Sequence, residues 1–323
     1  MNNKVSHKSR VVCSVLLFSG LIISSCSNNF KNDYRDTSPT SGRLKVYYDE
    51  GLTLHVRNQV STFESQYENA SIELYQTSEN EAVQALYNDS CELIVISRNL
   101  GEVEKKAFAS KSYTPAFSAI AKSGVAIITN VQTPLSILSY ESLLDLLSGS
   151  QTIKDSNGVQ ISLRVLFDKN NSAILHYMLD SVLKGKNLSP NSGILNSTLE
   201  SINYVAKNKN TLAFIDFAWI SDADDSLVKA NKSRIKVLAM SKRNSSRYEF
   251  PDQSSFKLNN YPLIRTVFAI RKTGDFTLAK GFESYLAGPK GQLTFLKQGL
   301  LPTRQGERSI KAIINTKSEN ETP

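Results

Sequence analysis

The stretch 72-IELYQTSENEAVQALYNDSCELIVISRN-99 decides the fold, because it holds a strand, an amphipathic helix and a second strand in succession. Ser78 and Glu81 have the spacing of a capping box, which predicts a helix start at this point. Behind it, one apolar helix face is formed by Ala82, Val83, Leu86 and Tyr87. The run Leu93–Ile96 is continuously apolar, as in a strand that is buried on both faces of a parallel sheet.

The same alternation of strands and helices extends over the chain from about residue 43. Short apolar or alternating runs predict strands at 44–48, 72–75, 93–96, 125–128, 163–167, 212–215, 237–239 and 263–270. Amphipathic runs between them predict helices at 56–67, 78–87, 139–147, 172–183, 276–286 and 291–296, and a second capping box opens a short helix at 197. This pattern is typical of α/β proteins with mainly parallel sheets, and its length predicts two lobes with a cleft between them.

The composition excludes several classes of protein. The 323 residues include 38 Lys and Arg against 30 Asp and Glu, a formal net charge of +8. Residues 1–25 carry three of the basic side chains and no acidic one, so the remainder has a charge of 8 − 3 = +5. No concentrated basic stripe or nucleic-acid module is present, so we expect no nucleic-acid partner. Three cysteines are too few for a disulfide scaffold of this size.

The first residues predict export and a lipid anchor. Lys4, Lys8 and Arg10 precede the 13-residue apolar run 11–23, which is a suitable length for a signal-peptide core. The run ends at 23-ISSC-26, which resembles a bacterial lipobox and makes Cys26 the predicted acylated residue. Residues 1–25 are then a signal peptide and 26–42 an acylated cysteine with a flexible tether, on an extracytoplasmic protein. A plain secretory signal and an uncleaved anchor stay open as alternatives.

Motifs of common enzymes are missing from the sequence. It has no G-x-S-x-G elbow, P-loop, G-x-G-x-x-G or H-E-x-x-H, and His55 and His176 share no motif. We therefore expect no catalytic residue, no metal and no cofactor. An extracytoplasmic phosphatase on a binding-protein scaffold is the remaining enzymatic alternative.

Polar residues follow three of the predicted strands, at the start of the next helix. They are Asp49-Glu50-Gly51, Ser97-Arg98-Asn99 and the run 168–173, Asp-Lys-Asn-Asn-Ser-Ala. Ligands of parallel α/β sheets bind at this edge, where helix N-termini favour anions, and Arg98 adds a forked positive charge. The sequence thus indicates an anion-binding cleft. Taken singly, the serine or asparagines could be helix caps, Arg98 an ordinary ion pair, and Asp49-Glu50 partners of a helix start.

Several spaced segments resemble the phosphate-binding proteins of Pst-type ABC transporters, most closely the lipoprotein branch found in Bacteroidetes. The resemblance covers about residues 43–305, and the segments that carry it are DEG at 49–51, SENEAVQAL at 78–86, LIVISRNLGEVEK at 93–105, VAIITN at 125–130, FDKNNSAILHYMLDSVL at 167–183, FIDFAWISD at 214–222 and FESYLAGPKGQLTFLKQGLLP at 282–302. It implies a type II periplasmic-binding-protein fold, in which two α/β lobes with mainly parallel sheets are joined by crossover strands. One lobe would comprise 43–122 and 260–313 and the other 123–259, with a disordered tail at 314–323.

The resemblance also implies a function and a set of ligand-binding residues. The protein would capture phosphate, or a similar oxyanion, as a monomer and deliver it to an ABC permease in the inner membrane. Carried over by position, the residues facing the ligand are Glu50, Gly51, Ser97, Arg98, Asn171, Ser172, Ala173 and His176. The hinge segments of such a protein, expected here at 122–125 and 239–260, would let the lobes close on the ligand.

The sequence departs from the family pattern at the third junction. The family has a Ser/Gly/Thr-rich phosphate loop, whereas this chain has Asn171-Ser172-Ala173 and no glycine. His176 stands where close relatives would have an arginine, so a formal charge is lost at neutral pH. Asp49 or Glu50 could accept a hydrogen bond from protonated phosphate while repelling sulfate, which carries no proton. The alternative is the same fold with a degraded ligand site, used for cell-surface interaction or assembly.

Overall fold

The computed structural model describes residues 37–154, 158–272 and 274–304, all of which belong to one compact unit, Thr37–Pro323. The predicted signal peptide, the predicted lipidation site at Cys26 and the predicted tail at 314–323 lie outside the described residues, as does the predicted tether before Thr37. In the described ranges, no helix combines the length and the apolar character needed to cross a bilayer.

The described residues form fifteen strands. They are β1 Gly42–Asp49, β2 Ala70–Thr77, β3 Leu93–Ile96, β4 Ala116–Asn130, β5 Ile137–Leu138, β6 Thr152–Lys154, β7 Gln160–Ser162, β8 Arg164–Phe167, β9 Gly193–Ile194, β10 Thr211–Asp216, β11 Ile235–Val237, β12 Ala239–Ser241, β13 Tyr248–Glu249, β14 Ile264–Arg271 and β15 Leu301–Pro302. The buried strands β3 and β10 and the flanking strands confirm the alternation predicted from the sequence.

Helices connect most of these strands in the described ranges. They are α1 Thr53–Glu64, α2 Glu79–Tyr87, α3 Glu102–Ser110, α4 Tyr140–Ser148, α5 Ala173–Tyr177, α6 Thr198–Lys207, α7 Ala218–Ser221, α8 Ser226–Lys232, α9 Gln253–Lys257, α10 Leu278–Ala287 and α11 Pro289–Lys297. A 3-10 turn at Glu50–Leu52 precedes α1, and a π-helical turn at Met178–Val182 follows α5. The helix predicted at 172–183 is therefore two different helical segments.

Ten of the strands form one sheet whose main order is β2-β1-β3-β14-β4-β10-β8-β9. Pairing is parallel among β2, β1 and β3 and again among β10, β8 and β9, and it is antiparallel where β14 and β4 lie between these groups. Helices between parallel strands satisfy the connection that parallel pairing requires. The α/β class predicted from the sequence is confirmed.

Strand β4 changes its partner halfway along its 15 residues. Its first part, Ala116–Gly124, pairs with β14, and its second part, from Val125 onward, pairs with β10. The sequence predicted only the apolar second part, because the first part contains Ser118, Lys122 and Ser123 and lacks a continuous apolar run. The change of partner lies within the segment 122–125, where the sequence predicted a crossover.

Separate apolar clusters pack against the two groups of parallel strands. One includes Val46, Val95, Phe63 and Phe282 around β1 and β3, and another includes Val165, Phe214, Phe167 and Tyr261 around β8 and β10. Cys91 is buried, and burial raises the pKa of its thiol to about 12. The cores hold the carboxyl ends of the strands in fixed positions, and polar residues follow at those ends.

Candidate functional site

The carboxyl ends of the two parallel strand groups face each other. Strand β1 ends at Asp49 and is followed by Glu50, whereas β8 is followed by Asp168 and Lys169. Glu50 is joined to the second group by an ion pair from its Oε2 to Lys169 Nζ, at 2.9 Å. The first and third polar junctions predicted from the sequence therefore lie together.

Glu50 has a second contact between the two groups of strand ends, a region called the cleft from here on. Its Oε1 accepts a hydrogen bond from the backbone N–H of Thr198, at 3.2 Å, where α6 begins. The glutamate is buried, with 6% of its surface exposed. Burial alone would lower the pKa of Lys169, but the hydrogen bond and charge of Glu50 raise it above its usual value. Lys169 is therefore held as a cation beside the carboxylate.

Gly51 lets two strand ends approach closely. A Cβ at this position would lie 3.0 Å from Cβ of Asp216, the last residue of β10, and 3.0 Å from Oδ2 of Asp49. The same Asp49 oxygen accepts a hydrogen bond from the Gly51 N–H at 3.2 Å. The predicted site residue Gly51 thus lies where the β1 and β10 ends meet.

The third predicted junction is a capped helix start. Ser172 Oγ accepts a hydrogen bond from the N–H of Leu175 at 3.1 Å, and Ala173 is the first residue of α5. Asn171 Nδ2 donates to Oγ of Ser78 at 2.9 Å, a contact between this junction and the start of α2. The ring Nε2 of His176 lies 2.9 Å from Oδ1 of the same asparagine. Asn171, Ser172, Ala173 and His176 are thus brought together, as predicted, and their role as ligand contacts stays a prediction.

Ser97 follows β3 and offers a free hydroxyl. Its backbone N–H donates to Oε1 of Glu79 at 2.7 Å, while its Oγ is buried and has no hydrogen-bond partner among the described residues. In the parallel register Tyr48 lies opposite Val95, so the residues that follow these strands, Glu50 and Ser97, reach the same edge. The hydroxyl is therefore available to a ligand at this edge.

Arg98 is held by the protein's own acceptors. Its guanidinium makes two hydrogen bonds of 2.8 Å to the Glu104 carboxylate and a third, of 2.9 Å, to Oδ1 of Asn80. The contact with Glu104 raises the pKa of Arg98 above its usual value. About 30% of the side chain is exposed. An oxyanion at Arg98 would have to compete with these partners, and this site assignment stays a prediction.

The structure adds a buried pair that the sequence analysis missed, Arg265 on β14 and Asp216 at the end of β10. The Arg265 Nη2 donates to Oδ2 of Asp216, and the other oxygen of Asp216 accepts from Ser123 Oγ at 2.7 Å and from the Ala218 N–H at 2.9 Å. The Nε of Arg265 is buried without a partner among the described residues. In the sequence, Arg265 is one polar position in an alternating strand, and its partner is 49 residues away.

Carboxylates dominate the charge of this cleft. The buried acidic residues around it are Asp49, Glu50, Glu79, Asp168 and Asp216. Burial, followed by the nearby charge of Glu79, raises the pKa of Asp49 well above its usual range, and burial raises the pKa of Asp168. Within the described ranges, no three His, Cys, Asp or Glu side chains are arranged to hold a metal ion.

This arrangement combines hydrogen-bond donors with strong acceptors. The donors are the Ser97 hydroxyl, the Arg265 Nε, the Lys169 ammonium and the N–H groups at helix starts. The carboxylates can accept hydrogen bonds but repel a bare anion. Chemically, the cleft suits a small anion that itself carries a proton.

A family model described as the PBP superfamily domain matches residues 38–290 of the chain. No curated protein matches this chain. Among solved structures, one from Clostridium perfringens is described as a phosphate ABC transporter substrate-binding protein with bound phosphate. It is 18% identical to this chain, with a TM-score of 0.67. The alignment covers 81% of this chain and 100% of the Clostridium perfringens chain.

Two further structures are similar over the same share of this chain, 81%. An ABC-type phosphate transport receptor from Vibrio cholerae is 15% identical, with a TM-score of 0.62 and 100% of its own chain covered. PstS from Borrelia burgdorferi is 14% identical, with a TM-score of 0.52 and 99% of its own chain covered. At these identities the likeness concerns the fold, and it confirms the predicted type II periplasmic-binding-protein fold.

Proposed function

This chain belongs to the PBP superfamily, and from that premise we propose that it is a lipid-anchored extracytoplasmic binding protein that captures phosphate, or a similar oxyanion, for an ABC importer. The observation that carries the proposal is the cleft in which Glu50 meets Lys169 and Thr198 across two groups of strand ends. Solute-binding proteins close such a cleft on their ligand. The Clostridium perfringens structure described with bound phosphate supports the choice of ligand.

The mixed donors and carboxylates favour phosphate over sulfate. Phosphate at neutral pH keeps a hydroxyl group that can donate a hydrogen bond to a buried carboxylate such as Glu79, while sulfate has no such hydroxyl. A site with buried polar groups discriminates strongly against a ligand that leaves them unpaired. Binding and release are the whole of the proposed activity, and it involves no catalytic step.

The proposal includes two lobes and an anchor. Residues 43–122 with 260–313 would form one lobe and 123–259 the other, and the change of partner along β4 supports this division. Stable membrane attachment requires more than one acyl chain, and diacylation or triacylation of Cys26 would supply them. In this arrangement the protein works as a monomer beside an ABC permease.

Thermal unfolding of the full-length protein in detergent tests the ligand. A ligand at about 100 times its dissociation constant stabilises a protein by about 2.7 kcal/mol, so millimolar phosphate should raise the melting temperature while sulfate should not. An increase with another oxyanion alone would transfer the assignment to that anion. No increase with any oxyanion, up to the highest concentration at which the protein stays in solution, would contradict the proposal.

Ser97→Ala tests the site, with Ser241→Ala as its matched control. Both hydroxyls are buried and have no hydrogen-bond partner among the described residues, but Ser241 is on β12. A hydrogen bond to a charged group contributes about 1.5–3 kcal/mol, so loss of the Ser97 hydroxyl should weaken phosphate binding by at least about tenfold. Isothermal titration calorimetry should show wild-type affinity for the control, and equal affinities for the two variants would exclude Ser97 from the site.

One observation favours a second candidate, a binding-protein fold used for cell-surface interaction or assembly. The Glu104 carboxylate and the Asn80 amide already engage Arg98, and Glu50 and Glu79 already receive N–H donors of the cleft. Under this candidate, the calorimetry above detects no oxyanion.

A further inference from the structure

Glu50 occupies donors that an anionic ligand would use. The N-terminus of a helix attracts anions through its unpaired N–H groups and the positive end of its dipole. At α6, a helix of ten residues, the first of these N–H groups already donates to Oε1 of Glu50. The second oxygen of Glu50 pairs with Lys169, a cation of the same junction whose side chain is 25% exposed.

The carboxylate reaches these donors from the opposite side of the cleft. Glu50 is 148 residues before Thr198 and follows β1, whereas Thr198 and Lys169 follow the other group of parallel strands. Its side chain is 8% exposed, so water screens the charge of this carboxylate less than it would at the surface, although Lys169 itself is 25% exposed. A buried carboxylate with two engaged oxygens places negative charge and two hydrogen-bond acceptors at donors that two oxygens of a phosphate could use.

The acidic side chains around Glu50 disfavour the entry of a second anion beside it. The Oγ1 of the same Thr198 donates to Oδ2 of Asp168 at 3.3 Å, and Asp49 precedes Glu50 in the chain. An oxyanion that entered with Glu50 in place would lie beside the Glu50 carboxylate and two further acidic side chains, Asp49 and Asp168. At the same edge, the unpartnered Ser97 hydroxyl remains as a donor that Glu50 does not use.

We propose that Glu50 is an internal competitor, which occupies the oxyanion position at Lys169 and the start of α6 and must be displaced before phosphate binds. The inference rests on the proposed function and adds to it that Glu50 determines the affinity. Displacement breaks the ion pair and the hydrogen bond of Glu50. The wild-type protein therefore binds phosphate more weakly, with a higher dissociation constant, than it would if Glu50 did not occupy these donors.

The test compares three full-length proteins in detergent by titration calorimetry with inorganic phosphate. Glu50→Gln keeps the shape and an oxygen for the Thr198 N–H but releases Lys169, and we expect it to bind phosphate at least tenfold more tightly than wild type. Glu102→Gln is the matched control, because Glu102 also pairs with a lysine at 2.8 Å but its side chain is 80% exposed. The control should bind as wild type does.

Each other outcome has a definite meaning. Equal or weaker phosphate binding by Glu50→Gln, with binding by wild type intact, would overturn the inference and leave the proposed function standing. Absence of phosphate and sulfate binding in all three proteins would overturn both. If Glu50→Gln does not fold, Glu50→Asp serves instead, since its shorter side chain cannot hold both donors. It should also bind more tightly than wild type, and weaker binding would overturn the inference.

Discussion

Asp49 is a side chain whose protonation depends strongly on the fold. It is buried at the end of β1, with Glu79, Asp168 and Asp216 close enough to disfavour a further negative charge, while Arg265 acts in the opposite direction. Burial is the largest of these effects, and the pKa of Asp49 is raised well above its usual range. Its carboxyl group is therefore protonated more readily in the folded protein than in the unfolded chain.

Asp49→Asn should change how the stability of the protein depends on pH. A carboxyl whose pKa is raised by folding binds its proton more tightly in the folded state. The wild-type free energy of unfolding therefore falls, through this group, as pH rises from the unfolded pKa of about 3.9 towards the folded pKa. The asparagine variant lacks this fall, so its stability relative to wild type should increase between about pH 4 and neutrality.

Urea denaturation at several pH values measures this difference. Asp145→Asn is the control, because Asp145 is an exposed residue of α4, and its variant should follow the wild-type pH profile. A wild-type protein that gains stability over Asp49→Asn as pH rises from 4 to 7 would contradict the prediction. The experiment also reports on the cleft, since Asp49 stands next to Glu50.

At the scale of elements, local sequence signals predicted helix ends well. The capping box at Ser78 and Glu81 is present, and Gly149, with φ of 124°, ends α4 where the sequence predicted an end. These signals depend on hydrogen bonds within four residues, so one segment contains the whole cause. The π-helical turn after Tyr177 was missed, because the apolar spacing of 172–183 fits one continuous helix.

Gly281 lies inside α10 because another segment passes it closely. A Cβ at this position would come within 1.7 Å of the carbonyl oxygen of Pro39. Alanine normally stabilises a helix by about 1 kcal/mol relative to glycine. Here Gly281→Ala should instead displace residues 37–41 from α10 and lower the free energy of unfolding, since the Pro39 backbone has to move.

The rate of trypsin cleavage measures this displacement, because the exposed residue Arg43 follows the displaced segment. Cleavage after Arg43 should be faster in Gly281→Ala than in wild type. Ser284→Ala, at an exposed position of the same helix, is the control and should be cleaved at the wild-type rate. A variant that is more stable and equally resistant would show that the contact with Pro39 does not restrain the segment.

At the scale of the whole molecule, the sequence predicted the α/β class and the three junctions but not the centre of the cleft. Arg265 and Asp216 belong to different strands, and nothing near either residue in the chain indicates its partner. A buried arginine is also rare, so an arginine in an alternating strand is expected to face water. The contacts of Glu50 with Thr198 and Lys169 could not be predicted from the sequence either, because they depend on tertiary packing.

Two of the side-chain contacts across the cleft join polar side chains on its opposite sides, and we expect them to help hold the free protein closed. They are the contact of Glu50 with Lys169 and the hydrogen bond from Asn171 to Ser78, at 2.9 Å. A double variant, Glu50→Gln with Asn171→Ala, loses the first as an ion pair and the second entirely. Its cleft should open, and its radius of gyration should rise above the roughly 20 Å expected for a compact chain of this size.

Small-angle neutron scattering with contrast-matched detergent measures the radius of the protein alone. Phosphate should reduce the radius of the double variant, because a bound oxyanion restores a link between Lys169 and the Ser97 side of the cleft, and sulfate should not. The control pairs Glu102→Gln with Asn191→Ala, two exposed positions away from the cleft contacts, and should keep the wild-type radius. A double variant that binds phosphate in calorimetry yet keeps one radius throughout would show that binding proceeds without closure, because the cleft would then be preformed.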